Sequence, residues 1–197
     1  MGGRMGDLDR GFKAWAERTS ASLRKELGLN SIEALDPKDL AECLGVNLCT
    51  PPDIPGVPRE VLNQLLEKDP WGWSAVSHVS EGRALVIYNP KHSAGRQASD
   101  IIHELAHIIL DHDPGKMIMS QDGTMVMRSY DRKQEEEANW LGWSILLPRE
   151  ALLSAMRLRL SNSQIAKKYG VTEDLVEFRL RVTGVKAQFG RATRRRA

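Results

Sequence analysis

The run His103-Glu104-Leu105-Ala106-His107 constrains this chain more than any other stretch of it. On an α-helix, side chains four residues apart lie one turn apart on one face, so the two imidazoles can converge on one ion. Glu104 stands beside that pair rather than under it. The spacing is that of the HExxH zinc-binding pattern, in which the glutamate acts as base on a water at the metal instead of ligating it. The flanks agree with a helix. Ala98, Ile101, Ile102, Leu105, Ile108 and Ile109 recur at spacings of three and four and form an apolar stripe, with both histidines on its edge. The consequence for the fold is direct: a catalytic zinc takes three protein ligands and keeps one position open. A second element has to bring the third ligand to this helix.

The extended pattern that carries a glycine and a third histidine is absent. His112 follows His107 by five residues, about 140° away around a continuous helix, and is a poor ligand candidate. The acidic run Glu135-Glu136-Glu137 is better placed. Glu135 shares a helix face with Ala138, Asn139 and Gly142, small residues that let another helix approach closely. Glu136 lines up with Trp140 and Trp143, and Glu137 with Trp140 and Leu141. Glu135 is the choice for third ligand and Glu137 the runner-up; in the remaining alternative all three acids are a solvated helix start suited to the macrodipole. Asn139, one turn on from Glu135, is placed to hold a ligand histidine by its free ring nitrogen.

The rest of the chain reads as a soluble protein. At 197 residues, 41% hydrophobic and 27% charged, it suits one domain with at most a small appendage. No apolar run approaches a membrane span, and Met1 to Arg10 lacks the apolar core of a signal peptide, so a cytoplasmic location and no membrane partner are expected. Cys43 and Cys49, the only two cysteines, make no disulfide framework and read as reduced, with Cys43 on a helix face.

Gly11 to Leu27 reads as an amphipathic helix. A short helix starts at Asp36-Pro37 and stops at Gly45, with loop from Cys49 to Pro58. A further helix follows Pro58, with Val61, Leu62, Leu65 and Leu66 as its buried face. Ser74 to Val79 and Ala84 to Tyr88 read as a hairpin. The HExxH helix runs from about Ser93 to Asp111. Met117 to Tyr130 suggests a second hairpin or a flap, and a helix from about Arg132 ends at Pro148. The expected organisation is a helical segment at 1–35, a metallopeptidase domain at 36–157, helix-turn-helix-like helices at 158–184 and a mobile basic tail at 185–197.

Taken in order and spacing, Tyr88-Asn89-Pro90, the HExxH run, Glu135-x-x-Ala138-Asn139 and Leu146-Leu147-Pro148 resemble the ImmA/IrrE family of zinc metallo-endopeptidases. The similarity covers Asp36 to Thr183, with Leu141-Gly142 where the family typically has Phe-Ala. The resemblance implies an α+β, mostly helical zincin-like fold with a small β-sheet. It implies Zn2+ as cofactor, His103, His107 and Glu135 as ligands and Glu104 as catalytic base. It also implies intracellular cleavage of a regulatory protein, often a helix-turn-helix transcriptional repressor of a mobile element or stress response. Some members carry an N-terminal DNA-binding domain; the 35 residues before Asp36 are too few for one, which fits a freestanding protease.

Two rival readings come from the C-terminal third and from the site itself. Gln164-Ile165-Ala166, then Gly170-Val171-Thr172 and Val176, has a helix-turn-helix rhythm. The stretch from Phe178 to Ala197 holds seven bases and no acid, a route to nucleic acid or to an acidic protein surface. Against DNA binding, the would-be recognition helix carries Glu173, Asp174 and Glu177, which would face phosphates. The other rival is a zinc-sensing module without turnover. Tyr88 and Tyr130 are alternative oxyanion stabilisers between which the sequence does not select.

Overall fold

The computed structural model describes residues 8–113, 117–119, 126–128 and 131–194. Helix α1 (Phe12–Glu26) buries Ala16, Ser20, Leu23 and Arg24, one stripe at helical spacing. Asp36 caps α2 (Pro37–Cys43) by accepting from the Lys38 backbone N–H, and Pro37 sits in the first turn where its missing N–H costs nothing. Gly45, at φ 67°, turns the chain out of α2 into β1 (Val46–Cys49). Helix α3 (Arg59–Asn63) widens into a π-helical turn at Gln64–Lys68. Strands β2 (Ala75–Ser80) and β3 (Arg83–Tyr88) pair antiparallel about Glu81 and Gly82, whose φ values of 51° and 74° suit a two-residue hairpin turn.

Helix α4 (Ala94–Ile109) carries the HExxH run and packs on the sheet formed by β1, β3 and β2 in that order. Strands β4 (Met117–Met119) and β5 (Val126–Arg128) pair antiparallel; the residues that join them lie outside the described ones. Asp131 caps α5 (Arg132–Leu146) through the N–H groups of Lys133 and Gln134. After Pro148 come α6 (Arg149–Arg157), α7 (Asn162–Tyr169), α8 (Glu173–Val182) and α9 (Val185–Arg194). The architecture is α+β, mostly helical with a small sheet. Among the described residues no helix is long and apolar enough to cross a membrane.

Three segments differ from the sequence reading. Val46–Cys49 is a strand, parallel to β3, and takes Cys49 from the expected loop. Four residues give too short a pattern to recognise, and the partner strand is distant in sequence. On α3 none of Val61, Leu62, Leu65 and Leu66 is buried, and Val61 is 43% exposed; the π turn shifts the helical register after Asn63, so the four do not form one stripe. The expected mobile tail from 185 is helix α9 through Arg194, anchored by the buried Val185 and packed on α6 and α8.

The C-terminus of α5 is closed by polar side chains. Pro148 prevents the helix from continuing, which leaves the last carbonyls without intrahelical donors. Side chains from two other helices supply them. Ser20 of α1 donates to Ser144 O (2.8 Å), Arg24 to Ile145 O (2.7 Å) and Leu146 O (3.4 Å), and Arg179 of α8 to Leu147 O (3.0 Å). Arg179 also donates to Glu17 (2.6 Å), whose other oxygen accepts from the Arg149 N–H (3.0 Å) at the start of α6. Both arginines are buried, so their charge is tolerated only because carbonyls and Glu17 surround it. Replacing Arg24 with Ala removes charge-assisted bonds worth about 1.5–3 kcal/mol each and strands buried carbonyls. We expect that variant to lose roughly 3 kcal/mol or more in urea denaturation, with α5 losing amide-exchange protection first at its C-terminal end.

Candidate metal centre

Close packing of α4 on α5 builds the site. A Cβ on Gly142 would lie 3.2 Å from both Cγ2 and the backbone oxygen of Ile102, so glycine lets the two helices sit a few tenths of an ångström nearer than an added methyl would. Ile101, Ile102 and Leu105 of α4 and Ala138, Leu141 and Ile145 of α5 are buried in the same core. Glu135, two turns before Gly142 on the same face, is thereby brought up to the histidines.

His103 Nε2 and His107 Nε2 are 3.1 Å apart. The Glu135 carboxylate places one oxygen 3.2 Å from His103 Nε2 and the other 3.4 Å from His107 Nε2. A tetrahedral ion with bonds of 2.0–2.1 Å has ligand–ligand edges of about 3.3 Å. Two imidazoles and a carboxylate at these separations fit zinc in chemistry and in size, and among the described residues they are the group that can hold a metal. Burial pushes the Glu135 carboxyl up, but the two histidines outweigh it and hold it down at about 2. Burial disfavours protonated His103, but Glu135, Glu104 and Asn139 together raise it above the ordinary imidazole value.

The outer contacts of the two histidines differ. Asn139 is near enough to His103 to favour its protonated form, but His103 Nδ1, the nitrogen that the sequence reading gave it to hold, is buried without a hydrogen-bond partner. His107 Nδ1 meets His112 Nδ1 at 2.9 Å, and His112 Nε2 meets Glu137 at 3.3 Å. Burial and the adjacent His107 ring push His112 below the ordinary imidazole range. The sequence reading set His112 aside by continuing the helix to it. In fact α4 stops at Ile109, and Asp111, at φ 51°, turns the chain back. An Asp tolerant of left-handed backbone just past the apolar stripe was the available signal.

Glu104 lies outside the trio. It is buried, faces the sheet, and accepts a 2.5 Å hydrogen bond from Ser77 Oγ on β2. Ser77 escaped the sequence reading, since only the strand register aims it at α4: it pairs with the buried Val86. Glu136 turns to Arg132 and Glu137 to His112, so neither joins the trio. Tyr130 lies outside the described residues.

The chain matches the model of a peptidase family, described as the IrrE N-terminal-like domain, over residues 41–181. No curated protein matches it. Among solved structures it is similar to a Mycobacterium tuberculosis transcriptional regulator, with a TM-score of 0.54 at 17% identity, over 85% of this chain and 46% of that one. The chain thus spans under half of that protein, and the likeness is one of fold.

Adding a side chain at Gly142 tests the packing that assembles the trio. Ala gains about 1 kcal/mol in helix propensity over Gly, but overpacking against a helix backbone costs about 1–3 kcal/mol. Because the family resemblance puts Ala here, Gly142→Ala is expected to keep zinc binding, Ile102 yielding slightly, whereas the much larger Gly142→Leu is expected to lower the thermal midpoint and to weaken zinc binding in a chelator competition. Unchanged zinc affinity in the Leu variant would mean that the trio does not depend on this contact.

Proposed function

The chain belongs to the peptidase family of the IrrE N-terminal-like domain, and from that premise we propose that it is a zinc-dependent endopeptidase acting on a regulatory protein inside the cell. The observation that carries this is the division of labour on one helix. His103 and His107 point to Glu135 at the edge lengths of a tetrahedral site, whereas Glu104 points to the sheet and is held by Ser77. A sensor needs the first feature only; a buried carboxylate held next to the ligands is what a hydrolase adds.

His103, His107 and Glu135 would hold the ion. When bound, zinc supplies a Lewis acid for the scissile carbonyl and for the attacking water. Glu104 takes the proton of that water as general base and delivers it to the departing amine nitrogen. Ser77 engages Oε2, which leaves Oε1 to carry the proton and keeps the carboxylate from swinging onto the ligand trio.

The substrate class follows from the family resemblance: a helix-turn-helix repressor of a mobile element or stress response. Direct DNA binding by α7 and α8 has less support. Glu173, Asp174 and Glu177 are exposed on α8 and would repel phosphates. The turn between the two helices packs its backbone on α4, where a Cβ on Gly95 would stand 3.0 Å from Val171. These helices buttress the HExxH helix.

Glu104→Gln is expected to keep stoichiometric zinc while slowing cleavage of a repressor encoded beside the gene by about 10²–10⁴-fold, the range for a general base. A Gln variant that cleaves like the wild type would refute the assignment of the base. Stoichiometric zinc with no cleavage by the wild type would favour the sensor.

A further inference from the structure

Taking the zinc site of the proposed endopeptidase as given, we propose that His112 and Glu137 are positioning residues that hold the ring of His107 in the orientation that presents its Nε2 to the metal. The geometry begins at the end of α4. Leu110 is the C-cap, Asp111 is left-handed, and His112 N–H donates to His107 O (3.0 Å) while Asp111 N–H donates to Ile108 O (3.1 Å). This is the Schellman arrangement, which brings the residue two past the cap back over the one that accepts its N–H. In most helices that contact is apolar. Here both partners are histidines, edge to face with ring centres 4.9 Å apart.

The direction of the hydrogen bonds follows from what each group can do. Glu137, a carboxylate, only accepts, so the proton between it and His112 belongs to His112 Nε2. The other ring nitrogen of His112, Nδ1, faces His107 Nδ1 at 2.9 Å. When Nε2 of His107, the atom 3.1 Å from His103 Nε2 and 3.4 Å from Glu135, is given to a metal, its Nδ1–H donates to His112. The anchor is well held: the side chains of His112 and Glu137 are 7% and 14% exposed, and Lys133 Nζ stands 3.9 Å from the other Glu137 oxygen. His103 has no comparable support at Nδ1. His107 is thus the pre-set ligand of the pair. Outer partners of this kind are generally worth about 10–100-fold in metal affinity.

Two measurements test the relay. The first is zinc affinity by chelator competition, where His112→Ala should lose about 10–100-fold. The second is rescue: His112→Asn, whose Oδ1 takes the place of Nδ1 and can still accept from His107, should recover part of that loss. An Asn variant as weak as the Ala variant would reduce His112 to packing, and an Ala variant within about twofold of wild type would overturn the relay. A wild type that binds zinc but cleaves no repressor overturns the endopeptidase reading alone, since the relay is decided by the zinc affinities.

Discussion

The approach of α4 to α5 at Gly142 is the constraint on which the rest depends. Two of the three trio members come from one helix and the third from the other, so the trio exists only at one interhelical distance. Ile102 offers its backbone oxygen to the space a Cβ on residue 142 would fill. Ala138, at 0% exposure, continues the small-residue face toward Glu135. Close packing of this kind is unforgiving, because interiors have few voids into which a neighbour can move. What an average helix pair spends on interdigitating large side chains is here given up to bring a carboxylate to two imidazoles.

The far end of α5 is held by polar contacts. Arg24 and Arg179 enter from opposite directions in the sequence and close the same set of carbonyls, with Glu17 joining Arg179 to the start of α6. Burial pulls both guanidinium groups below their ordinary range, with Glu17 acting against it. They remain charged, since no protein environment readily deprotonates arginine. The N-terminal helix precedes the family match that starts at residue 41. It nevertheless supplies Ser20, Arg24 and Glu17 to this junction. It is a brace for the helix that carries Glu135.

What was legible in the sequence was whatever has a local cause. The α4 stripe, the Asp36-Pro37 start, the hairpin around Glu81-Gly82 and the small-residue face of α5 each follow from a period or a turn within a few residues. The choice of Glu135 over its two acidic neighbours came from that face, and it is Glu135 that meets both histidines. What was missed needed a partner from elsewhere. Val46–Cys49 becomes a strand only against β3, Ser77 matters only through its register, and Val185 turns a basic tail into a helix only because α6 and α8 are there to cover it. His112 was lost for a different reason. Its role rests on one left-handed residue, and a helix assumed to run two residues too far rotated it out of view.

The separate aims of the HExxH side chains explain why α4 must be held from two sides. His103 and Glu104 are neighbours about 100° apart around the helix, so one faces α5 and the other faces β2. Any rotation of α4 that improves one contact worsens the other. Packing on α5 at Gly142 fixes the first direction, and the Ser77 hydrogen bond fixes the second. Gly95 adds a third point, where the turn between α7 and α8 meets the N-terminal end of α4 backbone to backbone. Three contacts spaced along one helix suffice to set its rotation, its tilt and its axial position. The C-terminal helices, whose rhythm suggests DNA recognition, thereby have a structural use that requires no DNA.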